Sequence, residues 1–263
     1  MAKRNPTEAW FYLPGYGDLA AYLTDFSDEH EAKTEEVTVL NSSFQQHAFV
    51  GVQSAEINLA GFYDDDSASG VRAPGGIAAA LSSGLANNQV AAWGVEGTAT
   101  GQRFMGWSGA LTAKYEIGPA RDSLTKVKAN IKNSGRAEEG RVIRPLGAAT
   151  ATGFGAGNVA AASGGQAYNF GASNVSGAAA YLIITHLDAT TSGLSVDIMH
   201  SPDNLTFSSY AGFSNVTATA LNSSYGQRIN STVPIQQYVT ERHRDAGGSS
   251  FTSGIFFVGV SPH

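Results

Sequence analysis

The feature that most constrains this chain is a two-residue alternation in "FVGVQSAEINLAGFYDDD". Ala55, Ile57 and Leu59 fall on one side of it, and Ser54, Glu56 and Asn58 on the other. Successive side chains of an extended strand point to opposite faces, so the segment predicts a strand with one dry and one wet side. The alternation returns in "SLTKVKANIKNSG", where Thr125, Val127, Ala129 and Ile131 oppose Leu124, Lys126, Lys128 and Asn130. Shorter apolar runs at 9–13 ("AWFYL"), 89–97 and 101–118 read as further strands. One stretch changes period: in "APGGIAAALSSGLANN" Ile77, Leu81 and Leu85 recur every four residues. Pro74 sits where a first helical turn tolerates it, and Asn87 and Asn88 follow as stops, so one short helix is expected there.

Only 14% of the residues are charged, against 42% hydrophobic, and there are 31 glycines. A surface so poor in charge relies on Ser, Thr, Asn and Gly, which close the turns of β-rich chains. The expected fold class is therefore mainly β with one flanking helix. Residues 145–180 are dominated by Gly and Ala and almost free of charge. Such a stretch builds no core of its own, so it marks a seam. The chain is expected to divide into 1–148 and 149–263. The second part reads as strands throughout, with turn chemistry at "SPDN", and suggests a small Ig-like or jelly-roll-like β-sandwich.

The net charge of −6 is spread over both parts, with 13 basic against 17 acidic residues in 1–150 and 3 against 5 in 151–263. No basic face is expected, which argues against a grip on nucleic-acid phosphates. There is no cysteine, so neither a disulfide framework nor a thiolate metal site can form. The start has Lys3 and Arg4 but no apolar run, so no signal peptide is expected. No stretch approaches the roughly 20 apolar residues of a membrane span.

Several motifs imitate chemistry. "GYGDLA" (15–20) fits G-x-G-x-x-A, with Glu35 and Glu36 downstream at a distance suited to a ribose. Asp18 would aim charge at a pyrophosphate, and no second strand-helix-strand unit follows, so a plain turn is favoured. "GWSGA" (106–110) is one residue short of a nucleophile elbow, and its surroundings read strand-turn-strand, which does not strain and expose Ser108 as a nucleophile. No two histidines have the i, i+4 spacing of a helical metal site. Asp64, Asp65 and Asp66 are the best candidates for ionic chemistry, yet they lack the alternating oxygen ligands of a calcium loop. They read as a charged turn that ends a strand. These observations predict no enzyme, no cofactor and no metal.

Taken in order, the segments resemble the major tail (tail tube) proteins of bacteriophages with long non-contractile tails. The resemblance rests on "GYGDLAAYLTDFS", a charged arm, then "FVGVQSAEINLAGFYDDD", the helix "GGIAAALSSGLA", and the strands "QVAAWGVEG" and "SLTKVKANIKNSG". It extends through "GAAAYLIITHLDATTSGLSVDIMHSPDNLTFSSYAGF" to "YVTERHRDAGGSSFTSGIFFVGV", nearly the whole chain, and the order of the motifs carries it. The resemblance implies a tail-tube-type β-barrel or sandwich for 1–148 and an appended sandwich for 149–263. It implies homo-hexameric rings that stack into a tube, a virion location after synthesis in the host bacterial cytoplasm, and tape-measure, terminator and distal tail proteins as partners. DNA would transit without specific binding, and no membrane is involved. Residues 24–48 are the candidate stacking arm, with Asp28, Glu29, Glu31, Lys33, Glu35 and Glu36 as inter-ring contacts. Glu56 and Asn58 are candidate lumen residues, which requires Lys126 and Lys128 to face elsewhere or be offset. An alternative is a virion decoration or adhesion protein whose sandwich presents Tyr181, Tyr210 or Tyr225 to host glycans.

Overall fold

The computed structural model describes residues 8–19, 23–36, 47–62, 89–118, 125–149, 167–171, 176–187, 193–216, 225–245 and 254–263. The helix expected at 74–88 and the carboxylates Asp64 to Asp66 lie outside the described residues. The described chain is nearly all antiparallel strand, in agreement with the mainly β class read from the sequence. Its first part supplies β1 (Trp10–Leu13), β2 (Gly17–Asp18), β3 (Leu23–Glu36), β4 (His47–Phe62), β5 (Gln89–Gly94), β6 (Arg103–Gly118), β7 (Lys126–Asn133) and β8 (Ala137–Ala149). Its second part supplies β9 (Tyr168–Asn169), β10 (Ala178–Leu187), β11 (Leu194–Ser201), β12 (Ser208–Gly212), β13 (Gly226–Ser231), β14 (Tyr238–Asp245) and β15 (Gly254–Pro262). Among the described residues no helix is long and apolar enough to cross a membrane.

Eleven strands share one sheet, ordered β13-β10-β15-β8-β6-β5-β1-β2, with β7, β4 and β3 branching from it. The other four make a second sheet, β12-β11-β14-β9. The branch arises on β6, whose first half pairs with β8 and whose second half pairs with β7 along the same edge. Between β7 and β8 the residues Ser134 to Arg136 bulge outward. Two serines close the bulge. The Ser108 N–H donates to the Arg136 carbonyl at 3.0 Å, and the Ser108 hydroxyl accepts the Arg136 N–H at 2.7 Å. The Ser134 N–H and hydroxyl both donate to the Gly109 carbonyl, at 2.8 and 3.0 Å. A Cβ on Gly135 would collide with the Ser108 hydroxyl and approach the Gly109 nitrogen to 3.1 Å, so the bulge closes only with glycine there. "GWSGA" thus lies inside one uninterrupted strand, where a turn was expected, and Ser108 serves the backbone.

Three apolar cores lie in series through the molecule. The strands between them are buried on both faces, which is why they read as continuous apolar runs. In β1, Phe11 and Leu13 join Ile57, Trp107 and Ile131 in one core, while Trp10 and Tyr12 join Phe104, Tyr181 and Phe257 in the next. In β10, Tyr181 and Ile183 look into that aromatic core, and Leu182 and Ile184 look into the third, against Val196, Ile198 and Val239 of the second sheet. Gly15 and Tyr16 of "GYGDLA" complete a tight turn from β1 to β2: the Tyr16 N–H returns to the Leu13 carbonyl, and the Gly15 N–H donates to the Ile184 carbonyl at 2.9 Å. That nitrogen is therefore committed to protein, as a plain turn requires.

The main sheet crosses the glycine-rich seam, because β8 pairs with β15 from Arg141↔Val260 to Ala149↔Gly254. Buried charge fastens the same region. Glu241, only 1% exposed, accepts a hydrogen bond from Arg144 at 2.9 Å and lies 3.0 Å from the His243 ring, while Arg144 stacks over Phe256. Glu138 accepts from the Tyr181 hydroxyl and from Arg228. Burial alone would raise the Glu138 carboxyl, but these hydrogen bonds outweigh it and hold it below the ordinary carboxylate range. Burial, reinforced by Glu138, pushes the Tyr181 phenol well up.

Candidate assembly surface

One face of the molecule is polar and exposed where the other side of the same sheet is dry. The strands β3, β4, β7 and the second half of β6 form a four-stranded antiparallel sheet whose inner face carries Ala55, Ile57, Leu59, Val127, Ala129 and Ile131, all buried. Each large aliphatic side chain buried there contributes about 1.5–3 kcal/mol. The alternation that predicted these dry positions equally fixes the wet ones: Glu56, Asn58, Lys126, Lys128, Asn130 and Lys132.

Register decides which of these meet. Glu56 lies opposite Glu29 on β3 and Lys132 on β7; Asn58 lies opposite Ser27 and Asn130; Ala60 lies opposite Asp25 and Lys128. On β6, Lys114 lies opposite Asn130 and Glu116 opposite Lys128. The polar contacts follow this grid. Asn130 donates to Asn58 at 2.8 Å and to Glu56, Lys132 stands 3.6 Å from Glu56, and Lys114 pairs with Glu116 at 2.6 Å. The Lys114 hydrogen bond and charge hold the exposed Glu116 carboxyl below its ordinary value.

The candidate lumen residues Glu56 and Asn58 thus lie side by side, half-exposed, on one wet face. Lys126, Lys128 and Lys132 share that face, so the lysines are neither turned away nor offset. Which strand's wet face matches another's depends on register, and register is invisible in either segment alone.

The sheet also has an overhang. The β3–β4 pairing runs from Leu23↔Gly61 to Glu36↔His47, whereas β7 covers β4 only from Phe62 back to Ala55. Beyond Ala55 the ribbon continues for eight residues of β4, or about 26 Å at the usual rise per residue. Of the candidate arm charges, Glu31, Glu35 and Glu36 pair across this overhang with Ser54, Ala48 and His47, and Lys33 falls at an irregularity between Ala32 and Thr34. Glu29 lies at the root of the overhang, exposed on the wet face. Asp28 is opposite Ile57, half-buried on the dry side. Residues 37–46 of the candidate arm lie outside the described residues.

Both edges of the four-stranded sheet are open among the described residues: β3 pairs only with β4, and Leu111 to Gly118 of β6 pair only with β7. Of the tyrosines expected at a glycan site, Tyr181 and Tyr225 are core residues at 0% and 2% exposure. Tyr210 is half-buried, with its hydroxyl donating to the Val233 carbonyl at 2.9 Å. Among the described residues no group of three or more His, Asp or Glu side chains is arranged to hold a metal.

No known protein family matches the chain, and no curated protein does. Several solved structures resemble it distantly. A chain of the native gene transfer agent virion shares 14% identity over 51% of this chain and 97% of that one, with a TM-score of 0.41. A chain from the C6-symmetric tail of an empty gene transfer agent particle shares 15% identity over 51% and 97%, with a TM-score of 0.40. The SPP1 Dit protein, described as a hub adsorption apparatus of phages that infect Gram-positive hosts, shares 10% identity over 96% and 98%, with a TM-score of 0.32.

Proposed function

We propose that the chain is a structural subunit of a phage tail tube, in which copies join side by side into hexameric rings and the rings stack through the overhanging ribbon. The sequence resemblance supports this reading, and one observation carries it: among the described residues the four-stranded sheet has two open edges that run in opposite directions. A copy added by rotation about an axis along the strands sets its β3 antiparallel to the previous copy's β6. The ladder then continues until it closes, and closure leaves no free edge. The overhang supports the stacking part, since an isolated two-stranded ribbon is marginal in water and gains from a partner surface.

In this arrangement the wet face of the sheet lines the channel through which DNA passes, with Glu56 and Asn58 on the wall. The contacts between rings come from the arm, residues 24–48, through its overhanging part with Glu31, Lys33, Glu35 and Glu36, while Asp28 and Glu29 lie at its root. Residues 1–148 form the tube unit, 149–263 form a sandwich outside it, and the assembled protein resides in the virion tail. Electron microscopy of the purified protein tests the proposal. Rings or tubes with a central channel are expected; discrete monomers at high concentration overturn it. Replacing the overhang, residues 31–54, by a short turn keeps the Leu23–His30 edge and should leave single rings that no longer stack; long tubes of this variant would refute the stacking role.

A further inference from the structure

The wet face of the four-stranded sheet is electrically lopsided. Its β3–β4 half carries Asp25, Glu29 and Glu56 and no cation among the side chains described there. Its β7–β6 half carries Lys114, Lys126, Lys128 and Lys132 against Glu116 alone. The boundary runs between β4 and β7, where Lys132 reaches Glu56 at 3.6 Å. The β3 edge is therefore acidic, while the β6 edge carries the Lys114–Glu116 pair with the three β7 lysines one strand behind it. The dry side of the β6 edge adds an apolar element: Ile117 lies opposite the buried Val127 yet is 47% exposed. On the dry side of the acidic edge sit Leu23 and Phe26, both half-buried.

We infer that the acidic β3 edge of one copy docks on the β6 edge of the next, which the β7 lysines back, with charge selecting this pairing over β3–β3 and β6–β6. The inference rests on the tube reading for its ring geometry and adds to it what specifies the neighbour. Two β3 edges would set Asp25 and Glu29 against their own copies, and two β6 edges would bring two lysine-rich β7–β6 halves together. Like charge across an interface is repulsive, whereas the head-to-tail pairing brings the acidic β3–β4 half of one copy against the lysine-rich β7–β6 half of the next. Ile117 of one copy is then covered on the dry side by the next copy's Leu23 and Phe26, which removes an exposed aliphatic group from water. The contact is heterologous, so it propagates around a ring and does not stop at a dimer.

A charge-swap experiment tests this on the full chain. One variant carries Lys114→Glu and Lys128→Glu, making both halves of the wet face acidic; the other carries Asp25→Lys and Glu29→Lys, making both halves basic. Each alone should need on the order of a hundredfold more protein than wild type to assemble, as measured by sedimentation velocity and electron microscopy. Mixed in equal amounts the two should assemble together, with differently tagged copies alternating, and this rescue also demonstrates that each is folded. Wild-type association through this edge should weaken from about 0.15 M to 1 M salt, as screening shortens the reach of exposed charge. Either variant assembling alone like wild type overturns the inference, and so does failure of two variants with native circular dichroism to co-assemble. Wild-type tubes that the single variants also form would sink the edge pairing and leave the tube reading standing. Wild-type oligomers that show charge-swap rescue but never stack would do the reverse, and a strictly monomeric wild type overturns both.

Discussion

The four-stranded sheet and the sandwich use strands in opposite ways. In the sandwich, β10 and β11 are buried almost along their whole lengths on both faces. Charged groups in it and against it are matched inside the chain, with Arg144 on Glu241, Arg228 on Glu138, and Arg242 on Asp197 at 2.5 Å. In the four-stranded sheet one face is dry, the other carries exposed acids and lysines, and both edges lack partners among the described residues. Strand pairing alone therefore says little about role. A region that satisfies its polar groups internally is a scaffold, while one that leaves backbone edges and segregated charge outward is positioned to meet other molecules.

The largest expected effect separates these two uses of charge. Arg144→Met removes the arginine from a carboxylate that is 1% exposed, leaving it the His243 ring, and should cost about 3 kcal/mol because a buried carboxylate loses its cation. Lys132→Met removes the partner of the half-exposed Glu56 and should cost under about 1 kcal/mol. Urea unfolding of both variants reads the difference as a shift in midpoint. Equal shifts would mean that the wet face holds the fold together as firmly as the buried cluster does, and the contrast between the regions would fail.

A middle-sized effect probes how the sandwich strands reach the first part. The Tyr181 ring lies flat over Gly106 of β6, and a Cβ there would come within 2.6 Å of the ring. Gly106→Ala should therefore destabilise by about 1–3 kcal/mol through overpacking, seen as a lower thermal midpoint. Combining it with Tyr181→Phe should not restore the loss, because the clash is with the ring and not with the hydroxyl. Recovery in the double variant would place the strain in the Glu138–Arg228–Tyr181 network instead.

Much of the four-stranded sheet was legible because its signal is local. Ile57, Leu59, Val127 and Ile131 sit on a strict period of two, and one side of each strand had to be dry. "AWFYL" was legible as a strand, but an apolar run does not reveal that alternate residues enter two different cores. What escaped the sequence is whatever depends on which strands meet. Lys126 and Lys128 were read as sharing one side of their strand, turned away or offset from Glu56 and Asn58, yet the β4–β7 register sets Lys128 beside Ala60 on that same face. Tyr181 passed for a surface aromatic because its partners, Glu138 and Arg228, lie 43 and 47 residues away. Ser108 and Gly135 form one bulge from two strands, and nothing local in "GWSGA" or "NSGR" announces the pairing.

The smallest effect is a slope against pH, and it should belong to the sandwich alone. His200 on β11 is 9% exposed, accepts the Gln236 N–H on Nδ1 at 3.2 Å and lies against the Tyr210 ring. Burial depresses its pKa, so the folded protein resists a proton that the unfolded chain takes up near about pH 6.5. Between those two values the unfolded state binds more protons. Stability is then complete above about pH 6.5 and falls as the pH drops through the depressed folded pKa. Glu138, also depressed in the fold, contributes in a lower window, below the ordinary carboxylate range. Urea midpoints measured between pH 7.5 and 5.5 should decline for wild type and for Lys132→Met, and should flatten for His200→Gln. A decline of unchanged steepness in His200→Gln would show that another group carries the linkage. A slope abolished by Lys132→Met would move it to the wet sheet, where the contrast drawn between the two regions does not allow it.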